Sequence, residues 1–155
     1  SRGLGDVYKR QLFYLYNRVN NIERMMRTMQ QSNTTPANIK VAGPYSPAKI
    51  FEAFVFTSGQ IPTDETGNVV AGEIAEQTHK AIANLKTVLE CSGSDLEHVL
   101  KTTCFLQSME DFSEFNEVYA HYFPQRPARS CFAVRQLPKG ALCEIEAIAV
   151  RREEE

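Results

Sequence analysis

The stretch from Ala141 to Val150 restricts the fold more than any other part of the chain. Cys143, Ile145, Ala147 and Ala149 alternate with Glu144 and Glu146, the two-residue period of a strand with one face in a core. A second strand-like run, Arg129 to Gln136, precedes it, with Phe132 and Val134 alternating with Arg129, Cys131 and Arg135. The turn signal Leu137-Pro138-Lys139-Gly140 lies between the two, so the spacing predicts an antiparallel hairpin. A slip of one residue would put glutamates on the core face. The matched apolar sets therefore place Arg129 and Cys131 on the same non-core surface as Glu144 and Glu146.

The other elements follow from periodicity. Ile50 to Ser58 is aromatic and β-branched, ends at Gly59 and reads as one buried strand followed by a turn. Ile74, Thr78, Ala81, Ile82, Leu85, Val88 and Leu89 recur at helical spacing with Gly93 just beyond, which predicts an amphipathic helix. His98 to Gln107 reads as a further strand. Ser108 with Asp111 resembles a capping box, and Phe112, Phe115, Tyr119, Tyr122 and Phe123 form one stripe of a second helix ending at Pro124. With 155 residues, 43% of them hydrophobic, one domain with a core of its own is expected, without a metal or disulfide to staple it.

Charge and cysteine spacing exclude several classes of function. Seventeen basic and nineteen acidic residues give a net charge of −2, a poor match to a surface built to neutralise phosphates. No apolar run approaches the roughly 20 residues that span a bilayer. Cys91, Cys104, Cys131 and Cys143 contain no CxxC pair and have no histidine doublet nearby. That spacing fits neither a zinc site nor a disulfide scaffold, and the expected state is reduced thiols in a cytoplasmic compartment. Residues 1–35 form an N-terminal extension, rich in arginine up to Arg27 and polar from Gln30 to Pro36, outside a domain of residues 36–152. Residues 1–24 read either as a mitochondrial presequence or, by preference, as sequence from outside the natural reading frame; the first would make the compartment mitochondrial.

An arginine beside glutamates on a sheet face is usually a solvated ion pair worth at most about 1 kcal/mol. Arg129, however, follows Pro124 and Pro127 and precedes the small residues Ser130 and Cys131, where a planar guanidinium could clamp a carboxylate with two hydrogen bonds. The segment Pro127-Ala128-Arg129-Ser130-Cys131, then Leu137-Pro138-Lys139-Gly140, then Glu144-Ile145-Glu146-Ala147-Ile148-Ala149-Val150 closely resembles the signature of the reactive-intermediate deaminase family (RidA, also called YjgF). Gly43-Pro44-Tyr45-Ser46-Pro47-Ala48, Thr57-Ser58-Gly59-Gln60-Ile61-Pro62 and Asp111-Phe112 with Phe115-Asn116-Glu117-Val118-Tyr119 extend the resemblance over residues 36–152.

The resemblance implies an α+β fold, a single-domain two-layer, chorismate-mutase-like sandwich of two helices on one mostly antiparallel sheet. It also implies a homotrimer with sites at the subunit interfaces. It implies hydrolysis of 2-iminopropanoate and 2-iminobutanoate to 2-keto acids and ammonia, without metal or organic cofactor. Arg129 would bind the substrate carboxylate and Glu144 the attacking water, with Tyr45, Ser58, Gly59, Asn116 and the backbone of Cys131 lining the pocket. Beside Arg129, Glu144 would stay ionised and act as a modest base. Relatives described as RNA-cleaving translation inhibitors, chaperone-like proteins or non-catalytic binding modules supply the alternative, against which the net charge and the retained Arg129 and Glu144 both count. A nucleophilic role for Cys131 lacks a matched histidine, and His79, His98 and His121 have no spaced partners.

Overall fold

The clean alternation of β5 (Cys143–Val150) is that of a strand inside a sheet, with every second residue buried. The computed structural model describes residues 2–30, 41 and 43–152. It shows a five-stranded sheet in the order β1-β2-β5-β3-β4, made of β1 (Ala48–Phe51), β2 (Phe54–Thr57), β3 (Val99–Leu106), β4 (Ala128–Ala133) and β5. All neighbours are antiparallel except β3 and β4. A parallel pair needs a long crossover, and α3 (Phe112–Tyr122) supplies it.

The two helices expected from the apolar stripes form where the periodicity puts them. α2 (Ile74–Cys91) lies across β5 and against α3. It opens with the Glu73 backbone N–H donating to Glu76 Oε2 at 3.0 Å and closes with Gly93 at φ +77°, a conformation that glycine adopts without a Cβ clash. Ser108 caps a short 3₁₀ turn, Met109–Asp111, by accepting from the Glu110 N–H, and α3 starts one residue later. Val55, Ile82, Leu85, Val88, Leu89, Leu106, Phe115 and Ile145 are all fully buried between the helices and one sheet face. Cys143 belongs to the same layer, its Sγ 3.7 Å from the Thr78 hydroxyl.

The other sheet face is uncovered in the single chain. Phe54, Phe56 and Phe132 are 39%, 43% and 45% exposed there. A third helix, α1 (Arg2–Gln30), lies in the N-terminal region, to which the periodicity argument assigned no element; from Tyr8 to Glu23 its side chains are all exposed. Among the described residues no helix is long and apolar enough to cross a membrane.

Two local expectations change. The run from Ile50 to Ser58 is not one strand: it folds back at Glu52 and Ala53, with Glu52 at φ +52°. Glu and Ala are weak strand formers, and reversal there pairs Ala48 with Thr57 and Ile50 with Val55. The C-terminal runs do not form a hairpin either. β3 sits between them, antiparallel to β5 and parallel to β4, while Pro138–Gly140 makes a 3₁₀ turn in the connection.

The inserted strand also reverses a facing relation. Thr102 of β3 is opposite Arg129 on one side and Ala147 on the other, and Cys104 is opposite both Cys131 and Ile145. Residues directly opposite across a ladder share a face. Arg129 and Cys131 therefore point to the helix side with Ile145 and Ala147, whereas Glu144 and Glu146, level with Phe105 and Thr103, point to the open side. The shared non-core surface inferred from a direct β4–β5 pairing does not exist within one chain.

Candidate functional site

The residues singled out in the sequence gather into two groups. The first sits where β2 ends. Gln60 and Ile145 exchange backbone hydrogen bonds of 2.9 and 3.1 Å, which brings the segment after β2 alongside the start of β5. The Ser58 N–H donates to the Pro47 carbonyl at 2.8 Å and its hydroxyl to the Ser46 carbonyl at 2.7 Å. These bonds hold the Gly43–Pro47 segment, and with it the half-exposed Tyr45, beside Ser58.

Gly59 completes this group by lacking a side chain. A Cβ at this position would fall 1.8 Å from Glu144 Oε1 and 2.6 Å from its Cδ. The Glu144 carboxyl thus lies directly against the Gly59 backbone. Burial raises its pKa above the usual carboxylate value, and the neighbouring Glu146 raises it further. The expectation of a carboxylate kept acidic by an adjacent Arg129 is corrected on both counts: the arginine is on the other face, and desolvation disfavours the charged form. Glu144 is in consequence a stronger base than an exposed carboxylate.

The second group is built on β4 and α3. The Arg129 guanidinium carbon lies 4.5 Å from the ring centroid of Tyr119 and 5.7 Å from that of Phe112, a cation–π arrangement that holds the planar fork in place. Asn116, Tyr119, Phe123, Pro124, Pro127 and Arg129 line a groove along this edge. The Tyr119 hydroxyl is fixed by a 2.7 Å hydrogen bond with Thr102 Oγ1, and burial pushes its pKa up to about 12. Cys131, half-buried, follows two residues after Arg129 on the same face.

Asn116, Arg129 and Cys131 are thus together, and Tyr45, Ser58, Gly59 and Glu144 are together, but β3 and the thickness of the sheet separate the two groups. Sequence reasoning assigned Tyr119 to the core stripe, read Cys104 only as one of four reduced thiols and passed over Thr102. The tyrosines of that stripe, Tyr119 and Tyr122, were the available signal, because a buried phenol needs a hydrogen-bond partner. Among the described residues no cluster of His, Cys, Asp and Glu has the make-up to hold a metal ion.

The sheet order, the helix-covered and open faces and the two polar residue groups define a small α+β sandwich domain with a groove beside Arg129. Within that class the chain belongs to the YjgF/RidA family: residues 35–151 match the family model described as endoribonuclease L-PSP. It is 47% identical over 114 residues to a RutC family protein of Pyrococcus abyssi, covering 72% of this chain and 90% of that protein. It is 40% identical over 111 residues to the human 2-iminobutanoate/2-iminopropanoate deaminase, covering 70% and 81%. Among solved structures, Escherichia coli TdcF with bound serine superposes with a TM-score of 0.72 at 35% identity, over 79% of this chain and 99% of that one.

Proposed function

We propose that the protein hydrolyses small 2-imino acids to 2-keto acids and ammonia, at sites that a second copy of the chain completes. The observation that carries this reading is the Glu144 carboxyl, desolvated and laid against Gly59 at the rim of an uncovered sheet face. Arg129, the cation suited to the substrate carboxylate, lies on the opposite face. Packing of the open faces of neighbouring copies in a homotrimer would cover Phe54, Phe56 and Phe132 and bring one copy's Glu144 group to another's Arg129 group. The identity with the human deaminase supports the activity, and serine in the related TdcF supports a small amino-acid-like ligand with a carboxylate.

The chemistry asks little of the protein. A protonated imine carbon is already electrophilic, so the site orients the substrate and delivers one water. Arg129 holds the carboxylate through two N–H donors, and Tyr45, Ser58, Asn116 and the Cys131 backbone shape the cavity. Glu144 accepts a proton as the water oxygen bonds to C2, giving a carbinolamine. It returns that proton to the nitrogen, the C–N bond breaks, and the C2 oxygen becomes the keto group as its own proton passes to Glu144 and on to the departing ammonia, which leaves as ammonium. No group on the chain changes oxidation state, and neither metal nor organic cofactor is required. An aqueous cytoplasmic setting, where such imines form, fits this role.

An assay that follows imine disappearance, with an amino-acid oxidase generating 2-iminopropanoate in the cuvette, tests the reading. Wild-type protein is expected to accelerate the loss, and folded Arg129→Ala to abolish nearly all of the acceleration. Arg129→Lys is expected to be severely impaired as well, because a point charge reproduces neither the fork nor its stacking on Tyr119. The description of the family model as an endoribonuclease favours RNA cleavage as a second reading, against which the net charge of −2 stands. RNA cleavage without imine turnover would install it in place of the first.

A further inference from the structure

Two cysteines whose thiols take no part in the proposed hydrolysis lie side by side. β3 and β4 run parallel, and their register sets Cys104 directly opposite Cys131 on the helix-facing side. Neighbouring strands are about 4.7–4.9 Å apart, and a disulfide spans Cα separations of about 4.4–6.8 Å, so the backbone spacing of the pair suits a disulfide. Their surroundings are unequal. Cys104 is fully buried, its thiol 3.8 Å from Thr102 Oγ1; Cys131 is half-buried, two residues from Arg129 along β4.

The thiols polarise each other. A hydrogen bond from Cys104 lowers the pKa of Cys131, and the positive charge of Arg129 lowers it further, with burial opposing. Cys104 moves up for the converse reasons, its hydrogen bond to Cys131 and its own burial. The pair therefore divides into a more acidic, more accessible thiol and a sheltered, less acidic one, the arrangement of an attacking and a resolving cysteine.

We propose that Cys131 and Cys104 form a peroxide-oxidisable pair that closes to a disulfide between β4 and β3, next to the Arg129 groove. The Cys131 thiolate attacks one oxygen of a hydroperoxide; the O–O bond breaks, Cys131 becomes a sulfenic acid, and the departing alkoxide or hydroxide takes back from solvent the proton that the Cys131 thiol had released, leaving as alcohol or water. With the thiolate gone, the interaction that held the proton on Cys104 is lost. The Cys104 sulfur then attacks the Cys131 sulfur, the S–O bond breaks, and the departing hydroxide leaves as water with the Cys104 proton. Two thiols supply two electrons, and one peroxide is reduced to alcohol and water. Cys91, exposed on α2, and Cys143, whose pKa burial pushes up to about 12, serve as internal comparisons.

The test uses the full chain, reduced, freed of reductant and treated with hydrogen peroxide, followed by alkylation and peptide mass mapping. Cys131 is expected to oxidise about tenfold faster than Cys91, with a Cys104–Cys131 cross-linked peptide that dithiothreitol dissolves. In Cys104→Val the cross-link is absent and Cys131 proceeds to sulfinic acid, which dithiothreitol does not reverse. Sulfinic acid at Cys131 beside a free Cys104 in the wild type would overturn the proposal, as would oxidation of Cys131 no faster than of Cys91. The mapping reads sulfur chemistry alone, so it stands or falls independently of imine turnover.

Discussion

Glu144 and Gly59 behave as one unit, and substituting either tests the other. In Gly59→Ala the new methyl would overlap Glu144 Oε1 at 1.8 Å, so the carboxyl must swing away. We expect turnover to fall by about 10²-fold or more, with a circular dichroism spectrum like that of the wild type. Glu144→Gln should lose activity on the same scale yet gain stability at neutral pH. The sign follows from the direction of the shift: the folded-state pKa is raised by burial, so folding favours the protonated carboxyl. Its contribution is present below the unfolded-state pKa and lost as pH rises through the folded-state value. Melts of Glu144→Gln and wild type should therefore diverge at pH 7, with the variant higher, and converge towards pH 4. A variant less stable than wild type at both pH values would show that the carboxyl is a structural support. Of these residue relations, the identities were legible in the sequence because the motif blocks carry them. The Glu144–Gly59 contact and the Tyr119–Thr102 hydrogen bond were not, since both depend on which strands are neighbours.

At the scale of elements, periodicity served where a face is buried and failed where adjacency matters. α2 and α3 follow their apolar stripes, and β5 buries the alternating set read from its sequence. A two-residue period says which side chains share a face of one strand but not which strand lies alongside. That gap allowed β4 and β5 to be joined as a hairpin, and inserting β3 between them moved Arg129 to the opposite side from Glu144. The early hairpin was hidden for another reason: Glu52 and Ala53 sit inside an aromatic run with no glycine or proline to mark the turn, and Glu52 takes the positive φ itself. α1 gives the element-level prediction. Its side chains from Tyr8 to Glu23 are all exposed, so deleting residues 1–24 should change neither turnover nor the assembly seen by light scattering. A large drop in melting temperature on deletion would place part of this helix in the folding unit.

At the scale of the whole molecule, the proposed function requires the two residue groups to meet between copies. A ring of three copies related by head-to-tail contacts gives every subunit the same two partners, and covering the phenylalanines of the open face supplies the apolar area such contacts need. Wild-type protein should scatter light as a trimer at micromolar concentration, and Phe56→Glu should shift it towards monomer with β2 still formed. Chains of Arg129→Ala and Glu144→Ala, each inactive alone, should recover activity when unfolded together and reassembled. If the two residues act from different chains, about a quarter of the sites in an equal random mixture draw both intact; no recovery would return the site to a single chain. The sheet that keeps the guanidinium and the carboxyl on opposite faces also has a consequence for gene dosage. A chain altered only at Arg129 removes one site for each copy incorporated, so output would decline in simple proportion to its share of the pool. A chain altered at both Arg129 and Glu144 damages a neighbour on each side, and output would decline as the square of the intact fraction. On the proposed shared site, the double defect would therefore act as a dominant lesion, because each subunit would borrow half of its site from a neighbour.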